Sequence, residues 1–190
     1  MTNREPLIET FLEKNKQINL SAIRDEDWVR VKHIQDSLEL EKIINRKKWL
    51  KIADIGTGWG FPLMPLAILH PECKFVWIDS VRKKTIAVGE ILMRLSVKNV
   101  EMMRTRIEDI KWQSFDVVTA RAVAYADKLI NRAEPLVNKW WIIALMKQVN
   151  DDERRILLDN ANKKKLTLEQ EHHYKLFEWD IDRVIYILKK

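Results

Sequence analysis

Three glycines at alternate positions, in the segment KIADIGTGWG, are the feature that most constrains the fold of this chain. An apolar run precedes Gly56, Gly58 and Gly60, and a helix-like segment then leads to a second apolar run, KFVWID. This order predicts a strand, a tight turn, a helix and a strand, which is half of a nucleotide-binding βαβ unit. Glycine suits the turn because a Cβ there would collide with a ligand lying against the backbone.

An acidic residue ends the second predicted strand. Asp79 lies 19 residues after Gly60, at a position where a carboxylate can accept hydrogen bonds from both hydroxyls of a ribose. The unit therefore predicts a cofactor that contains adenosine. A tight strand-to-helix turn without any ligand is the alternative interpretation of the glycines.

The glycine spacing and two nearby prolines narrow the class of cofactor. The motif is GxGxG, whereas the dinucleotide fingerprint is GxGxxG. A pyrophosphate needs free backbone N–H groups at the start of the helix, and Pro62 and Pro65 remove such donors. A nucleoside without phosphates, such as S-adenosylmethionine, therefore fits better than a dinucleotide. A nicotinamide-dependent oxidoreductase is the less favoured alternative.

Length and composition limit the number of domains and the kinds of site that this chain can have. The 190 residues have room for one domain, which we divide into a helical extension (1–48) and an α/β core (49–190). No apolar run approaches the roughly 18 residues of a membrane helix, and the N-terminus has no signal-peptide pattern. We therefore expect a cytoplasmic monomer with no membrane contact. The single cysteine, Cys73, has no companions at metal-ligand spacing, so no metal site is expected.

The charge suits an anionic partner. The formal net charge is +6, from 34 basic and 28 acidic residues. Basic residues 82–84 crowd the start of a helix expected over 82–96, where they oppose the helix dipole. An anionic substrate near Lys83 and Lys84 would explain their position, although solvated surface charge is the alternative.

The remaining segments complete an α/β pattern. Strands are expected over 99–103, 115–119 and 139–146, followed by a hairpin over 166–176 and 181–188. The alternation predicts a mostly parallel, twisted sheet with helices on both faces and an antiparallel hairpin at its C-terminal end. Ligands bind beyond the carboxyl ends of such strands, which directs attention to the loops over 106–109 and 121–124.

A helix expected over 26–45, capped by Ser21 or Asp25, carries a polar cluster. His33, Asp36 and Ser37 are spaced i, i+3 and i+4 and therefore share one face. They could point together into a pocket or form an exposed polar face.

Taken in order, these motifs resemble the bacterial ribosomal small-subunit guanine-N7 methyltransferase family, also called glucose-inhibited division protein B. HIQDSL and RAVA are its most specific motifs. The matching segments are INLSAI (18–23), HIQDSL (33–38), ADIGTGWGFPLMPLAI (53–68), IDSVRKK (78–84), LSVKNV (95–100), RIE (106–108), FDVVTARAVA (115–124) and DRVIYI (182–187).

The resemblance implies a class I Rossmann-like methyltransferase with an N-terminal helical extension. It would act with S-adenosylmethionine on a guanine of 16S ribosomal RNA, as naked RNA or in the small ribosomal subunit. The implied cofactor residues are Gly56, Phe61, Asp79, Ile107, Glu108 and Arg121. Positioning candidates are His33, Asp36 and Arg121, and candidates for RNA phosphates are Lys83, Lys84, Arg106 and Arg183. No proton-transfer residue is nominated, because guanine N7 attacks with a free lone pair.

The fifth strand departs from the family pattern. Asn138, Lys139 and Gln148 stand where the family usually has glycines or an LKG-like ending, and the Trp140–Trp141 pair lies between them. We expect these changes to alter the loop on the substrate side. A ribosome-binding protein that kept the fold and lost catalysis is therefore the alternative from a different class.

Overall fold

The computed structural model describes residues 4–19, 21–44, 49–111, 113–121, 126–176 and 180–190, with the backbone alone at residues 4, 126 and 127. Among these residues, no helix combines the length and the apolar character needed to cross a bilayer. The division between extension and core at residue 48 stays a prediction, because 45–48 fall outside the described residues.

Helices and strands alternate through the middle of the chain. The α-helices are α1 (Arg4–Ile18), α2 (Glu26–Val29), α3 (Asp36–Ile44), α4 (Leu63–Leu69), α5 (Arg82–Arg94), α6 (Ala126–Ala133) and α7 (Asp151–Lys163). The strands are β1 (Lys51–Ile55), β2 (Lys74–Ile78), β3 (Val100–Met103), β4 (Phe115–Arg121), β5 (Val137–Gln148), β6 (Thr167–Leu176) and β7 (Ile181–Lys189). Short 3₁₀ turns occupy Ile107–Asp109 and Glu134–Leu136.

The seven strands form one sheet in the order β3-β2-β1-β4-β5-β7-β6. Strands β1 to β5 are parallel, while β7 pairs antiparallel with both β5 and β6. This arrangement confirms the predicted α/β fold, including the C-terminal hairpin. The parallel strands bring their carboxyl ends to one edge, which is where an open sheet of this kind binds ligands.

Helices cover both faces of the sheet because the central strands are apolar on both sides. Residues such as Ile52 and Val117 face the core shared with α1 to α5. Their neighbours Ala53 and Val118 face the core shared with α6 and α7. The N-terminal helices thus pack on one face of the sheet.

The helix expected over 26–45 is not uniform. Asp25 caps it, since its side chain accepts a hydrogen bond from the Trp28 N–H at 3.1 Å. Residues Arg30–Gln35 then form a π-helical segment between α2 and α3, so the prediction of one regular α-helix was wrong there. Wider turns of this kind occur often at functional sites, and this one contains His33.

The Trp140–Trp141 pair lies away from the edge that binds ligands. Arg121, at the carboxyl end of β4, pairs with Met146, whereas Val117 pairs with Ile142. The two tryptophans precede Ile142 and so belong to the amino-terminal half of β5. The expectation that this pair alters the substrate-side loop was therefore wrong, because parallel strands carry their amino ends to the opposite edge.

Gly60 and Gly89 should respond oppositely to alanine. Gly60 has a φ of +90°, and a Cβ there would meet the Met64 side chain and lie 3.2 Å from the Trp77 ring. Gly89 lies within α5, and its Cβ would make an ordinary 3.6 Å contact with Met102. We expect Gly60→Ala to lower the free energy of unfolding by about 2–4 kcal/mol. Gly89→Ala should raise it by about 0.5–1 kcal/mol. Urea titration of both variants tests this, and equal stabilities would contradict it.

Candidate active site

A cleft of about 900 Å³ opens at the carboxyl ends of the parallel strands. Its walls come from the loop after β1, the end of β2, the turn after β3 and the last residue of β4. This volume lies toward the upper end for small-molecule sites. The lining includes six residues predicted to bind the cofactor: Gly56, Phe61, Asp79, Ile107, Glu108 and Arg121.

The glycine loop adopts a backbone that favours glycine. Gly56 and Gly58 have φ values of +66° and +58°, which are costly for residues with a Cβ. The N–H groups of Gly56 and Thr57 donate to the Ile78 carbonyl at 2.8 and 3.4 Å. The turn is thereby held against the end of β2, and its backbone forms one wall of the cleft.

Asp79 joins the glycine loop to the start of α5. One carboxylate oxygen accepts from the Gly58 N–H at 2.9 Å, and the other accepts from the Val81 N–H at 2.8 Å. Each carboxylate oxygen can accept two hydrogen bonds. Asp79 can therefore shape the loop and still accept one further hydrogen bond at each oxygen.

The turn after β3 closes another side of the cleft. Ile107 packs against the core beneath the sheet, while the exposed Glu108 pairs with Arg132 of α6 at 2.7 Å. A hydrogen bond from its own backbone and the charge of Arg132 hold the pKa of Glu108 below its ordinary value. The turn thus places an apolar and an anionic side chain side by side.

Arg121 connects the cleft to the N-terminal helices. Its Nη1 donates to the Lys32 carbonyl at 2.9 Å and to Asp36 Oδ2 at 3.0 Å. Its Nη2 lies 3.3 Å from His33 Nδ1, and its guanidinium carbon lies 5.7 Å from the centre of the Phe61 ring. Arg121, at the end of β4, is thereby fixed by the helical segment that contains the HIQDSL motif.

Asp36 receives hydrogen bonds from three strands. Its Oδ1 accepts from Tyr174 Oη at 2.6 Å and from Arg183 Nε at 3.0 Å. Its Oδ2 accepts from Arg183 Nη2 at 3.1 Å in addition to Arg121. Burial raises the pKa of Asp36, but the positive charges of Arg183 and Arg121 outweigh it, so the pKa lies below its ordinary value. Asp36 is therefore ionised and enclosed.

His33 is buried and neutral. Its ring stacks on Phe61 at 4.6 Å, and Phe11 contacts it edge-on at 5.5 Å. Burial, with the charge of Arg121 adding to it, lowers the pKa of His33 to about 3. Because a guanidinium only donates, Nδ1 must accept, which leaves the proton on Nε2. Together with the burial of Asp36 and Ser37, this excludes an exposed polar helix face.

Asp54 is a buried acid beneath the glycine loop that the sequence analysis missed. It is 1 % exposed, does not line the cleft, and its Oδ1 accepts from Thr119 Oγ1 at 2.6 Å. Burial raises the pKa of this carboxyl to about 7, although hydrogen bonds from Thr119 and Thr57 oppose the shift. The available signal was an acid inside an apolar strand, two residues before Gly56.

The four residues predicted to meet RNA phosphates separate into two groups. Lys84 and Arg106 line the cleft, and Lys83 is exposed on the first turn of α5. Arg183 is instead held in the buried ion pair with Asp36, with its side chain 12 % exposed. This position argues against a phosphate contact by Arg183. In the RAVA motif, residues 122–124 lie outside the described residues.

Comparison with known proteins gives one consistent family. The family described as rRNA small subunit methyltransferase G matches residues 3–180. A protein named ribosomal RNA small subunit methyltransferase G, from Thermoanaerobacter sp. (strain X514), is 35% identical over 186 residues, covering 95% of this chain and 78% of the relative. One of the same name from Lysinibacillus sphaericus (strain C3-41) is 29% identical over 196 residues, covering 100% and 82%.

Solved structures support the fold. A ribosomal protein L11 methylase from Lactobacillus delbrueckii subsp. bulgaricus superposes with a TM-score of 0.66. The two chains are 14% identical, and the match covers 81% of this chain and 77% of the other. At this identity the likeness concerns the architecture alone.

Asp54 should make stability depend on pH. The folded pKa of Asp54 is about 7, above the value of about 3.9 for an unfolded aspartate. Its contribution to stability is therefore present below the unfolded value and is lost as the pH rises through the window between these two pKa values. Asp54→Asn removes the titration, so its stability relative to wild type should increase by at least about 1 kcal/mol between acidic and mildly alkaline pH. Urea unfolding at pH values below and above this window measures the difference. A pH-independent difference would contradict this prediction.

Proposed function

Because the chain belongs to the rRNA small subunit methyltransferase G family, we propose that it transfers a methyl group to N7 of a guanine in 16S ribosomal RNA. Family membership makes it a methyltransferase that uses S-adenosylmethionine. The atom methylated and the position of the guanine near the decoding site are the parts we propose. Operation in the cytoplasm and a monomeric state stay predictions from the sequence.

The observation that carries the proposal is the convergence of predicted cofactor residues on one cleft. The glycine loop offers bare backbone at Gly56 and Gly58, Asp79 has oxygen lone pairs for ribose hydroxyls, and Ile107 and Glu108 flank the place for an adenine. The volume is sufficient for a nucleoside and leaves room for an acceptor base. These residues fit S-adenosylmethionine without a phosphate site.

Methyl transfer to guanine N7 does not need a general acid or base. When bound, S-adenosylmethionine supplies an electrophilic methyl group, and guanine N7 has a lone pair with no proton to remove. Two observations support a reaction without a general base: the acceptor positions of the Asp36 carboxylate are filled, and His33 is buried. The chain would therefore act by aligning the two reactants and excluding water.

Basic side chains at the mouth of the cleft would meet the RNA backbone. Lys84 lies 4.9 Å above the Trp59 ring, its neighbour in sequence Lys83 is exposed, and the exposed Arg106 lines the same cleft from the turn after β3. Phosphate contacts of this type supply affinity and orientation without reading sequence. The alternative of an inactive ribosome-binding protein loses the support of the tryptophan pair of β5, which lies at the opposite edge of the sheet. It keeps the support of Gln148, which ends β5 at the carboxyl edge.

Replacing Asp79 tests the cofactor assignment. Asp79→Ala should weaken binding of S-adenosylmethionine by about 1–3 kcal/mol, since it removes charged hydrogen bonds and releases the Gly58 N–H. Isothermal titration calorimetry measures this change. Glu169→Ala on β6, an exposed carboxylate paired with Lys189, serves as the matched control. Unchanged affinity in Asp79→Ala would refute the ribose contact, and absence of binding by the wild-type chain would refute the proposed function.

Charge reversal tests the RNA surface. The double variant Lys83→Glu, Lys84→Glu should raise the KM for purified small ribosomal subunits by about ten-fold or more, with a steeper loss at low salt. Affinity for S-adenosylmethionine should stay within about two-fold. Lys163→Glu with Lys164→Glu, exposed at the end of α7, makes the same charge change elsewhere. Equal KM values for the two double variants would show that Lys83 and Lys84 are ordinary surface charge.

A further inference from the structure

We infer that Tyr174 and Arg183, on the C-terminal hairpin, are positioning residues for methyl transfer that act through Asp36 on Arg121. The inference rests on the proposed function for the identity of the reaction. It assigns a role to two residues outside the cleft, and it gives the N-terminal helices a part in the active site.

The first step of the case is that Asp36 has no capacity left for a substrate. A carboxylate offers about four acceptor positions. Tyr174 and Arg183 Nε occupy those of Oδ1, and Arg121 and Arg183 Nη2 occupy those of Oδ2. Asp36 therefore orients the side chains that donate to it and does not bind substrate. The bidentate contact from Arg183 fixes the plane of its carboxylate.

The second step is that the cluster is not balanced in charge. Two guanidiniums face one carboxylate, the hydroxyl of Tyr174 donates a hydrogen bond without carrying charge, and His33 is neutral. The cluster thus keeps one excess positive charge. Of the two arginines, Arg121 is the one that lines the cleft, so the excess charge is available to an anionic group there.

The third step concerns the hydrogen bonds that Arg121 still has to offer. A guanidinium has five N–H groups. Two from Nη1 are used by Lys32 and Asp36, and one from Nη2 is directed at His33. Among the described residues, the Nε–H and the second N–H of Nη2 have no partner, and they suit a carboxylate or phosphate oxygen. Their direction depends on how Asp36 holds the other side of the group.

The fourth step is that stability alone does not account for such a cluster. Buried ion pairs often contribute less to stability than apolar side chains of the same size. The contacts also join segments that lie far apart in the chain, since Asp36 is separated from Arg121 by 85 positions and from Arg183 by 147. A network that fixes Arg121 at the cleft accounts both for an ion pair that adds little stability and for contacts between segments far apart in the chain.

A double-mutant cycle tests the inference. Tyr174→Phe removes one hydroxyl and should lower kcat/KM for purified small ribosomal subunits about ten-fold. Arg121→Lys should lower it further. In the Arg121→Lys background, Tyr174→Phe should change kcat/KM less than about two-fold, because the residue it acts through is already altered. Arg183→Lys should behave like Tyr174→Phe in both backgrounds.

Two matched controls separate positioning from general loss of stability. Tyr186→Phe deletes a hydroxyl from the same hairpin on the other face of the sheet. Glu171 lies on the same strand as Tyr174, and Glu171→Gln weakens its ion pair with Arg154 of α7. Both should leave kcat/KM unchanged whatever they do to the melting temperature. Additive effects in the cycle, or equal losses in Tyr174→Phe and Tyr186→Phe, would overturn the inference.

Nitrogen-15 spectra of the arginine side chains give a readout that does not depend on activity. Wild type should show distinct Nη signals for Arg121, since its guanidinium is held by three partners, and Tyr174→Phe should average them. Unchanged Arg121 signals would overturn the inference even if the protein proves to have another activity. Distinct wild-type signals that average in Tyr174→Phe, in a protein that does not bind S-adenosylmethionine, would instead count against the proposed function alone.

Discussion

The ion pair between Asp36 and its two arginines is the interaction on which the arrangement of the site depends. It lies where the N-terminal helices, the end of β4 and the C-terminal hairpin meet. A carboxylate so deeply buried is stable only when its hydrogen bonds are complete, and here four donors complete them. Loss of one donor would leave a buried acceptor position of the carboxylate unfilled, and loss of Asp36 would leave two guanidiniums without their shared counter-charge. The three segments must therefore pack together for the cleft to keep its shape.

The parallel sheet provides the other half of the site. Apolar strands buried on both faces bring their carboxyl ends to one edge, and each loop at that edge contributes one element of the cleft. The positive φ values of the first of these loops favour glycine, and glycine leaves its backbone without a covering side chain. Asp79 then ties that loop to the next strand. The cofactor side of the site is consequently built from local geometry, whereas Arg121 is held by contacts from distant segments.

This difference explains which features could be predicted from sequence. The glycine turn, the distal acid and the alternation of strands and helices are local patterns, and the structure confirms the fold they indicate. The roles of Tyr174 and Arg183 could not be found in this way, because a sequence does not distinguish a buried guanidinium from an exposed one. The sequence alone therefore predicts a phosphate contact for Arg183 and no role for Tyr174.

Other errors have physical causes of the same kind. The helical periodicity over 26–45 could not reveal the π-helical segment at His33, since the apolar spacing barely changes. The sequence does not give the register of β5, which places Trp140 and Trp141 near the amino end of the strand and Gln148 at its carboxyl end. Asp54 escaped attention because its significance comes from burial.

The central claim is that this chain methylates N7 of a guanine in 16S ribosomal RNA. The most direct measurement is to map N7-methylguanine in ribosomal RNA from cells that contain the chain, cells that lack it, and cells that carry the Asp79→Ala variant. The account predicts one N7-methylated guanine near the decoding site that disappears without the chain and is restored poorly by the variant. An identical methylation map in all three strains would contradict it.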